Sequence, residues 1–430
     1  MAENLEKKAP NVRFKGFTYD WELQKFNNVF NSISNNSLSR NDLSYEKGSV
    51  INIHYGDLLT KFDEYLDIQN TNLPKIIDDD KATKASRAKL MDGDIIIADT
   101  AEDETAGKCV EIGNLTDSVV VSGLHTMAQR PKFEFGKRYL GVYMNSVSYH
   151  KQLLPLMQGI KVISISKTAI ASTIIVYPQK IEEQNKIGAI FKIISNLLTL
   201  YQRKIGLLQQ LKKAMLQRLF PDTDTYPKLR FGGFSGPWEQ HKLGELMDVG
   251  SVKRIHQSDW KSSGVRFLRA RDIVSLSKNE EPSDVLYIDK HKYDEYSEVS
   301  GKVDKGDLLV TGVGSIGVPL LIKSSNPLYF KDGNIIWFKN GNVLNGYFFY
   351  YSFISTNIQS FIQKSSGIGT VGTYTIDNGK KTPILVPKDK KEQNQIGLFF
   401  NQLDSFIALQ QRKLDNMNKL KKFMLQQMFI

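Results

Sequence analysis

Basic side chains cluster in two separate stretches of the sequence, and their types suit the chemistry of DNA binding. Lysine and arginine neutralise backbone phosphate, and arginine can bind guanine through two parallel hydrogen bonds. We predict DNA contacts at residues of both stretches, against the alternative that each is ordinary solvated charge. The first stretch contributes Lys84, Arg87, Lys89, His125, Arg130 and Lys132. The second contributes Lys253, Arg254, Arg266, Arg269 and Arg271, and then Gly314 and Ser315 in a glycine-rich segment. Because Arg266, Arg269 and Arg271 alternate with apolar residues, we expect them to share one strand face.

Motifs that would indicate catalysis are missing or incomplete. The sequence contains no GxxxxGK[ST] phosphate-binding loop. Gly312–Gly317 matches GxGxxG, but Val318–Ile322 predicts a strand where a dinucleotide site needs a helix, so we expect a loop between strands. The six histidines lack metal-ligand spacing, and Asp78–Asp80 is interpreted as a polar loop. We therefore predict no catalytic residue, metal site or cofactor in this chain.

The charge of the chain favours an acidic partner, and most of it lies in two segments. The 430 residues include 57 Lys and Arg against 46 Asp and Glu, a net charge of +11. Residues 180–220 carry eight basic and two acidic residues, and residues 387–430 carry eight and four. Nucleic acid is the commonest acidic partner, with an anionic membrane as the alternative. The single Cys109 excludes an internal disulfide, and we see neither a signal peptide nor a membrane-spanning run. We expect a cytoplasmic protein.

The sequence repeats itself at both ends of each half. Residues 10–22 and 227–239 share Pro-x-x-Arg-Phe-x-Gly-Phe followed by Trp-Glu, at an offset of 217. Residues 183–220 and 392–429 share Glu-Gln-Asn, Ile-Gly, Gln-Arg-Lys and Leu-Lys-Lys-x-Met-Leu-Gln, at an offset of 209. Between these ends the halves differ strongly. We interpret the chain as two readers of different targets on one scaffold; the alternative is an old duplication whose interiors drifted.

The second repeat has the heptad spacing of a coiled coil, with steps of four and three residues. Two helices of about 40 residues, each spanning roughly 60 Å, are predicted to pair antiparallel within the chain about a pseudo-twofold axis. Residues 227–239 would then pack near the end of the first helix and residues 10–22 near the end of the second, so that the chain closes on itself. A coiled coil made only for dimerisation is the alternative. The predicted spacer positions are Ile187, Phe191, Ile194, Leu198, Tyr201, Ile205, Leu208, Ile396, Phe400, Leu403, Ile407, Leu414 and Met417, with Gln410 at the fifth position of the second series.

The interiors read as short strands separated by Gly, Asn, Asp and Pro, with helical patches around residues 138–158 and 346–363. The predicted fold class is α+β: two mixed α/β, strand-rich target-recognition domains in tandem, separated by two long helices that form an antiparallel coiled coil. The predicted boundaries are 1–179 for the first domain, 180–221 for the first spacer helix, 222–386 for the second domain and 387–430 for the second spacer helix.

Over essentially its full length the chain resembles the specificity subunit of type I restriction–modification enzymes. The tandem Arg-Phe-x-Gly-Phe frames and the Glu-Gln-Asn helices are the most specific features of this resemblance. Weaker ones are Gly56-Asp57, residues 122–126 with Arg130-Pro131, and residues 269–273.

The resemblance implies that each variable domain reads one half of a split target on double-stranded DNA. It also implies that the helices dock two methyltransferase subunits, which bring S-adenosylmethionine, and that two restriction/translocase subunits bring ATP and Mg. The chain itself would be a non-catalytic subunit in a bacterial or archaeal cell. The alternatives are the specificity subunit of a methyltransferase-only complex and a coiled-coil adaptor without a DNA role.

Overall fold

The computed structural model describes residues 9–222, 224–366 and 372–430. The chain divides into two compact units, which we call unit 1 and unit 2. Unit 1 is Met1–Gln202 with Arg412–Ile430, and unit 2 is Arg203–Gln411. Each unit therefore combines one strand-rich interior with parts of both long helices. The four boundaries that the sequence predicted for domains and spacers remain a prediction.

Unit 1 is built mostly from short strands. They are β1 (Trp21–Lys25), β2 (Phe30–Ile33), β3 (Leu43–Ser44), β4 (Val50–Ile53), β5 (Tyr65–Asp67), β6 (Lys75–Ile76), β7 (Ile95–Ala98), β8 (Thr100–Ala101), β9 (Cys109–Gly113), β10 (Val119–Ser122), β11 (Thr126–Pro131), β12 (Ile163–Ser164) and β13 (Ile174–Pro178). The helices are α1 (Phe26–Val29), α2 (Tyr55–Thr60), α3 (Asp79–Ala85), α4 (Tyr139–Met144), α5 (Val147–Leu153), α6 (Lys167–Ala171) and the start of the 39-residue α7 (Ile181–Leu219).

Unit 2 has the same kind of composition. Its strands are β14 (Glu239–Lys242), β15 (Asp248–Gly250), β16 (Trp260–Lys261), β17 (Val265–Leu268), β18 (Leu286–Ile288), β19 (Leu308–Thr311), β20 (Pro319–Leu321), β21 (Leu328–Phe330), β22 (Ile335–Lys339) and β23 (Pro383–Val386). Its helices are α8 (Leu243–Leu246), α9 (Ala270–Ser277), α10 (Lys290–Ser300), α11 (Gly346–Phe353), α12 (Thr356–Ser365), α13 (Ile376–Lys381) and the start of α14 (Lys390–Gln427). The predicted mixed, strand-rich interiors and the helical patches at 138–158 and 346–363 are confirmed.

The two interiors share a strand order although their sequences differ. One sheet has the order β10-β4-β6-β3 in unit 1 and β21-β17-β18-β16 in unit 2. The other has the order β2-β11-β7-β9 in unit 1, with β5 added at the edge, and β15-β22-β19-β20 in unit 2. The strands β4 and β10 are parallel, as are β17 and β21. The same backbone topology thus carries two different sets of side chains.

Each repeated Arg-Phe frame is held by a buried ion pair. In unit 1, Arg13 donates from Nε and Nη2 to both carboxylate oxygens of Glu183, at 2.7 and 2.9 Å. In unit 2, Arg230 donates in the same way to Glu392, at 2.8 and 2.7 Å. Both glutamates are 1% exposed. This ion pair explains why the Arg-Phe motif and the Glu-Gln-Asn motif occur together in both halves of the chain.

The frames also pack where the sequence predicted. In unit 1, Val12 N–H donates to Gln427 O at 2.9 Å, and the Trp21 ring lies edge-on to Phe429 with centroids 6.3 Å apart. In unit 2, Leu229 N–H donates to Arg218 O at 2.9 Å. There the rings of Trp238 and Phe220 are 6.2 Å apart. The N-terminal frame therefore packs at the end of the second helix, and the second frame packs at the end of the first.

The long helices pair antiparallel in each unit. In unit 1, α7 contacts α14 through a bond from Lys421 Nζ to Ser195 Oγ, and Phe191, earlier in α7, contacts Phe429, later in the chain. In unit 2, Lys212 pairs with Asp404, while Phe220 contacts Phe400. In both cases one residue number rises as its partner's falls, as antiparallel pairing requires. All the predicted spacer positions are buried or half-buried, as the packed face of a heptad helix requires, and their spacer role remains a prediction.

Two local predictions are wrong. The strand β17 ends at Leu268, so Arg269 and Arg271 do not share a strand face with Arg266. Arg269 instead precedes α9, because its backbone N–H bonds to the carboxylate of Asp272 and so starts a helical turn. The Asp78–Asp80 segment is not a loop, since the side chain of Asp78 accepts from Lys81 N–H and caps α3.

Candidate nucleic-acid interface

In unit 1, aromatic and basic side chains gather where the parallel strands β4 and β10 end. His54 follows β4, and its ring lies 4.7 Å from that of Tyr55. The Tyr55 ring in turn meets His125, beyond β10, edge-on at 5.2 Å. His54 Nδ1 accepts from Gly56 N–H, and burial lowers the pKa of His54, so this histidine is neutral at pH 7. The exposed His125 lies 3.3 Å from Asp99.

The same edge in unit 2 carries arginine and lysine instead. Arg269 follows β17 and, like His54, occupies the position before a helix; Lys331 and Asp332 follow β21. The third helical residue is a buried aspartate in both units, Asp57 in unit 1 and Asp272 in unit 2. Asp57 pairs with Arg40, and Asp272 pairs with Arg269, at 2.5 and 2.9 Å. One backbone position thus holds a neutral histidine in one unit and an arginine in the other.

Some of the predicted contacts are engaged in structural ion pairs. Arg130 donates to both oxygens of Asp94, at 2.9 and 2.8 Å, and this hydrogen bonding raises the pKa of Arg130. Asp94 is 1% exposed. The Arg269 side chain is only 13% exposed and bonds to both oxygens of Asp272. A DNA role for Arg130 or Arg269 would require the loss of bonds to a buried carboxylate.

Other predicted residues reach solvent. Lys84, Arg87 and Lys89 are exposed at the end of α3 and just beyond it. Lys132 is exposed while its ammonium bonds to Asn27 O at 2.6 Å. In unit 2 the predicted residues with acidic neighbours are Lys253 (Glu295, 3.7 Å), Arg254 (Asp332, 2.8 Å), Arg266 (Glu281, 3.5 Å) and Arg271 (Asp284, 2.6 Å). No predicted residue is buried, and their contacts with DNA remain predictions.

The Gly314–Ser315 segment is a loop between antiparallel strands, as predicted. It joins β19 to β20; Gly314 has φ +70°, which favours glycine, and Ser315 is exposed. Gly312 N–H donates to Asn334 O, and Tyr374 N–H donates to Gly312 O.

Unit 1 repeats this arrangement. Asp99 N–H donates to His125 O, and Ile165 N–H donates to Asp99 O. His125 and the Gly314–Ser315 loop, both predicted as DNA contacts, therefore lie in equivalent regions of their domains.

Sequence reasoning missed an apolar loop in this region. Ile160 is 99% exposed and Val162 is 55% exposed. Reciprocal backbone bonds between Gln158 and Ser164 close the loop, and β12 then pairs with β8. A lone Gly-Ile dipeptide was the only sequence signal.

Neither a metal-binding cluster nor a membrane-spanning helix occurs in residues 9–222, 224–366 and 372–430. No group of three or more His, Cys, Asp or Glu side chains there is arranged to hold a metal ion. No helix in these ranges combines the length and apolar character needed to cross a membrane.

The sequence is similar to known specificity proteins. Residues 236–419 match the family model described as "Type I restriction modification DNA specificity domain". The type I restriction enzyme MjaVIII specificity subunit of Methanocaldococcus jannaschii is 25% identical over 257 residues, which are 56% of this chain and 58% of that protein. The putative type I restriction enzyme MjaX specificity subunit of the same organism is 22% identical over 281 residues, 63% of each chain. The chain thus spans less than two thirds of the length of these curated relatives.

Solved structures share the fold over a longer range. The S subunit of a type I restriction–modification system from M. genitalium aligns with a TM-score of 0.59 and 12% identity, covering 98% of this chain and 99% of that one. Residues 236–419 are thus similar to the type I specificity domain, and the chain as a whole shares the fold of a type I S subunit. A chain from a structural study of complex assembly and conformational transition in the type I R-M system aligns with a TM-score of 0.53 and 15% identity, covering 94% of this chain and 96% of that one. At these identities the structural likeness concerns the fold alone.

The partial match to the family model fits the internal repeat. The matched range begins just before β14 and ends within α14, so it covers the interior of unit 2. Unit 1 has the same strand order and the same Arg–Glu frame. The interior that matches the family model and the interior of unit 1 therefore share one topology.

Proposed function

We propose that this chain is the DNA-sequence-reading subunit of a type I restriction–modification complex, in which each unit reads one half of a split target. One observation carries the proposal: the two interiors share a strand order, yet the equivalent edge carries His54 and His125 in unit 1 and Arg269 and Lys331 in unit 2. Of these, the exposed His125 in unit 1 and the partly exposed Lys331 in unit 2 present different hydrogen-bonding groups to DNA. Two domains of one backbone with different edge chemistry are suited to two different half-sites.

Exposed apolar side chains on the long helices support a docking role. In unit 1 these are Ile193, Leu200, Leu420 and Phe423, and in unit 2 they are Leu207, Leu211, Leu398, Phe406 and Leu409, each at least 40% exposed. Large apolar side chains grouped on a surface mark protein interfaces. We propose that two methyltransferase subunits dock on these helices and bring S-adenosylmethionine, and that two restriction/translocase subunits bring ATP and Mg. The chain itself is proposed to be non-catalytic and cytoplasmic.

The proposed reading function predicts a specific change in DNA methylation. We would map N6-methyladenine across the genome of the source cell with this gene intact and with it deleted. The proposal expects one split motif, with a fixed gap of several base pairs, to lose methylation on deletion. An unchanged map, together with no DNA binding by the purified chain and its methyltransferase subunit, would refute it and favour a coiled-coil adaptor. Methylation that depends on the gene without any DNA cleavage would indicate a methyltransferase-only complex.

The docking surface can be tested separately with neighbouring substitutions on α7. Leu200→Arg places a charge where an apolar partner surface is expected, and it should abolish co-purification of the methyltransferase subunit. Thr199→Arg makes the same addition at the adjacent exposed position and should leave co-purification unchanged. Equal effects of the two variants would contradict the proposed surface.

A further inference from the structure

The basic residues where strands β17 and β21 of unit 2 end are paired with the chain's own carboxylates. Asp284 lies in the segment between α9 and β18 and contacts two arginines at once. Its Oδ2 is 2.6 Å from Arg271 Nη2 and 3.0 Å from Arg269 Nη1. Hydrogen bonding from Arg269 lowers the pKa of Asp284, so this carboxylate stays charged.

The two arginines differ in how firmly they are held. Arg269 keeps two bonds to the buried Asp272 even without Asp284, and its side chain is 13% exposed. The side chains of Arg271 and Asp284 are 63% and 61% exposed. Exposed ion pairs are weak and are screened by salt, so a DNA phosphate can compete with Asp284 for Arg271. Of the two arginines that contact Asp284, Arg271 is therefore the one that can exchange this carboxylate for a DNA phosphate.

Three further basic residues of unit 2 also have acidic neighbours. Lys253, Arg254 and Arg266 also have carboxylates within 4 Å, in Glu295, Asp332 and Glu281. Binding to arbitrary DNA depends almost entirely on free positive charge that meets phosphate. A DNA-binding surface whose cations are already paired has less of this sequence-independent attraction. At the correct target, base contacts still offset the free energy that is lost when these ion pairs break.

We propose that Asp284 is a specificity-determining residue that occupies Arg271 in the free protein and suppresses binding to non-target DNA. This inference rests on the proposed DNA-reading function. It adds a residue that touches no base and acts by making wrong sequences less attractive. DNA would displace Asp284 from Arg271, while Arg269 would keep its bonds to Asp272.

The test is Asp284→Asn in the full chain, with and without its methyltransferase subunit, measured by fluorescence anisotropy on a target duplex and a scrambled duplex. We expect the scrambled duplex to bind on the order of three- to tenfold more tightly near physiological salt, and the plot of log K against log salt to steepen by about one. The target should gain less, so that the ratio of target to scrambled affinity falls. Asp377→Asn is the matched control: it also removes one negative charge, from an exposed pair with Lys381 on α13, and should leave the ratio unchanged.

Three results would overturn the inference. Asp284→Asn could change binding to the scrambled duplex no more than Asp377→Asn does, or it could tighten both duplexes equally, which would be a general charge effect. The gain could also survive in the double variant Arg271→Ala, Asp284→Asn, although it should vanish if Arg271 carries it. Failure of the proposed DNA-reading function would give a different result, because the unmodified chain would then bind the target and the scrambled duplex equally well. The comparison of Asp284→Asn with the unmodified chain on the scrambled duplex would still show whether Asp284 weakens binding.

Discussion

Removing the arginine of one buried frame pair should destabilise that frame by several kcal/mol. Arg230→Ala leaves Glu392, which is 1% exposed, without the two bonds at 2.8 and 2.7 Å that neutralise it. Breaking a buried ion pair by deleting one partner typically costs about 3–5 kcal/mol, because a charge remains in a poorly solvated site. The Arg230 side chain is 17% exposed, so some water can reach the site and we expect the lower end of that range, about 3 kcal/mol.

The second substitution of the pair separates charge burial from lost packing. In the double variant Arg230→Ala, Glu392→Gln no charge remains to be buried, and we expect most of the loss to be recovered, leaving about 1 kcal/mol. Arg230→Lys keeps a charge but cannot reproduce the two-bond geometry, so its loss should be intermediate.

Hydrogen exchange read by mass spectrometry suits this protein because it reports separately on the two-stranded sheet of β1 and β13 in unit 1 and that of β14 and β23 in unit 2. Arg230→Ala should lower protection in the peptides of β14 and β23 while those of β1 and β13 are unaffected. Arg13→Ala, the equivalent change in unit 1, should give the reverse pattern. A loss below about 1 kcal/mol for Arg230→Ala, or no recovery in the double variant, would refute this reasoning.

Three further changes test other buried features. Burial raises the pKa of Glu111 to about 7 from 4.5, so the folded state holds a proton that the unfolded chain releases, and unit 1 should lose stability as pH rises between these values. Both Glu111 carboxylate oxygens accept backbone N–H bonds, from Arg138 and Gly141, and glutamine can accept only one of them. Glu111→Gln should remove this pH dependence, so in urea unfolding its stability relative to the unmodified chain should be about 2–3 kcal/mol more favourable at pH 8 than at pH 4.5; an equal difference at both pH values would contradict the prediction. Gln410 is 2% exposed at a heptad position, and no donor among the described residues bonds to its Oε1. Gln410→Leu should therefore raise the free energy of unfolding measured in urea by about 1–2 kcal/mol. A lower free energy of unfolding would count against this prediction. A Cβ on Gly188 would lie 2.1 Å from Lys137 O and one on Gly397 2.6 Å from Asn345 Oδ1, so alanine at either should cost about 1–3 kcal/mol, whereas Gly206→Ala in open space on α7 should stabilise slightly; similar thermal shifts for all three would show that crowding is not the cause.

The helices and frames were predictable because their signals are local. A heptad spacing follows directly from helix geometry, and the repeated Glu-Gln-Asn segment starts both long helices. The partners within the frame were harder to predict, since Arg13 and Glu183 lie 170 residues apart. The only sequence signal that relates these two residues is that their motifs are both repeated in the second half of the chain.

The interiors were less predictable because their strands are short and pair over long distances. Strands such as β3, β6 and β16 have two residues each, too few for an alternating pattern, and the parallel pairs join segments far apart in sequence. Residue type alone cannot show whether an arginine faces DNA or a buried carboxylate. Arg130 and Arg271 have the same chemistry, but Asp94 holds one firmly and the other lies mostly in solvent.

Unit 1 contains both ends of the chain, while unit 2 is one continuous segment. A ribosome therefore completes every residue of unit 2 before it makes the last part of α14 that unit 1 needs. The hydrogen bond between Val12 and Gln427 and the ring contact between Trp21 and Phe429 can form only after Gln427 and Phe429 have been synthesised. Domains generally fold as units during synthesis, so unit 2 can fold first even though its sequence comes later. A nascent chain that stops before Arg412 would thus contain all of unit 2 and an incomplete unit 1.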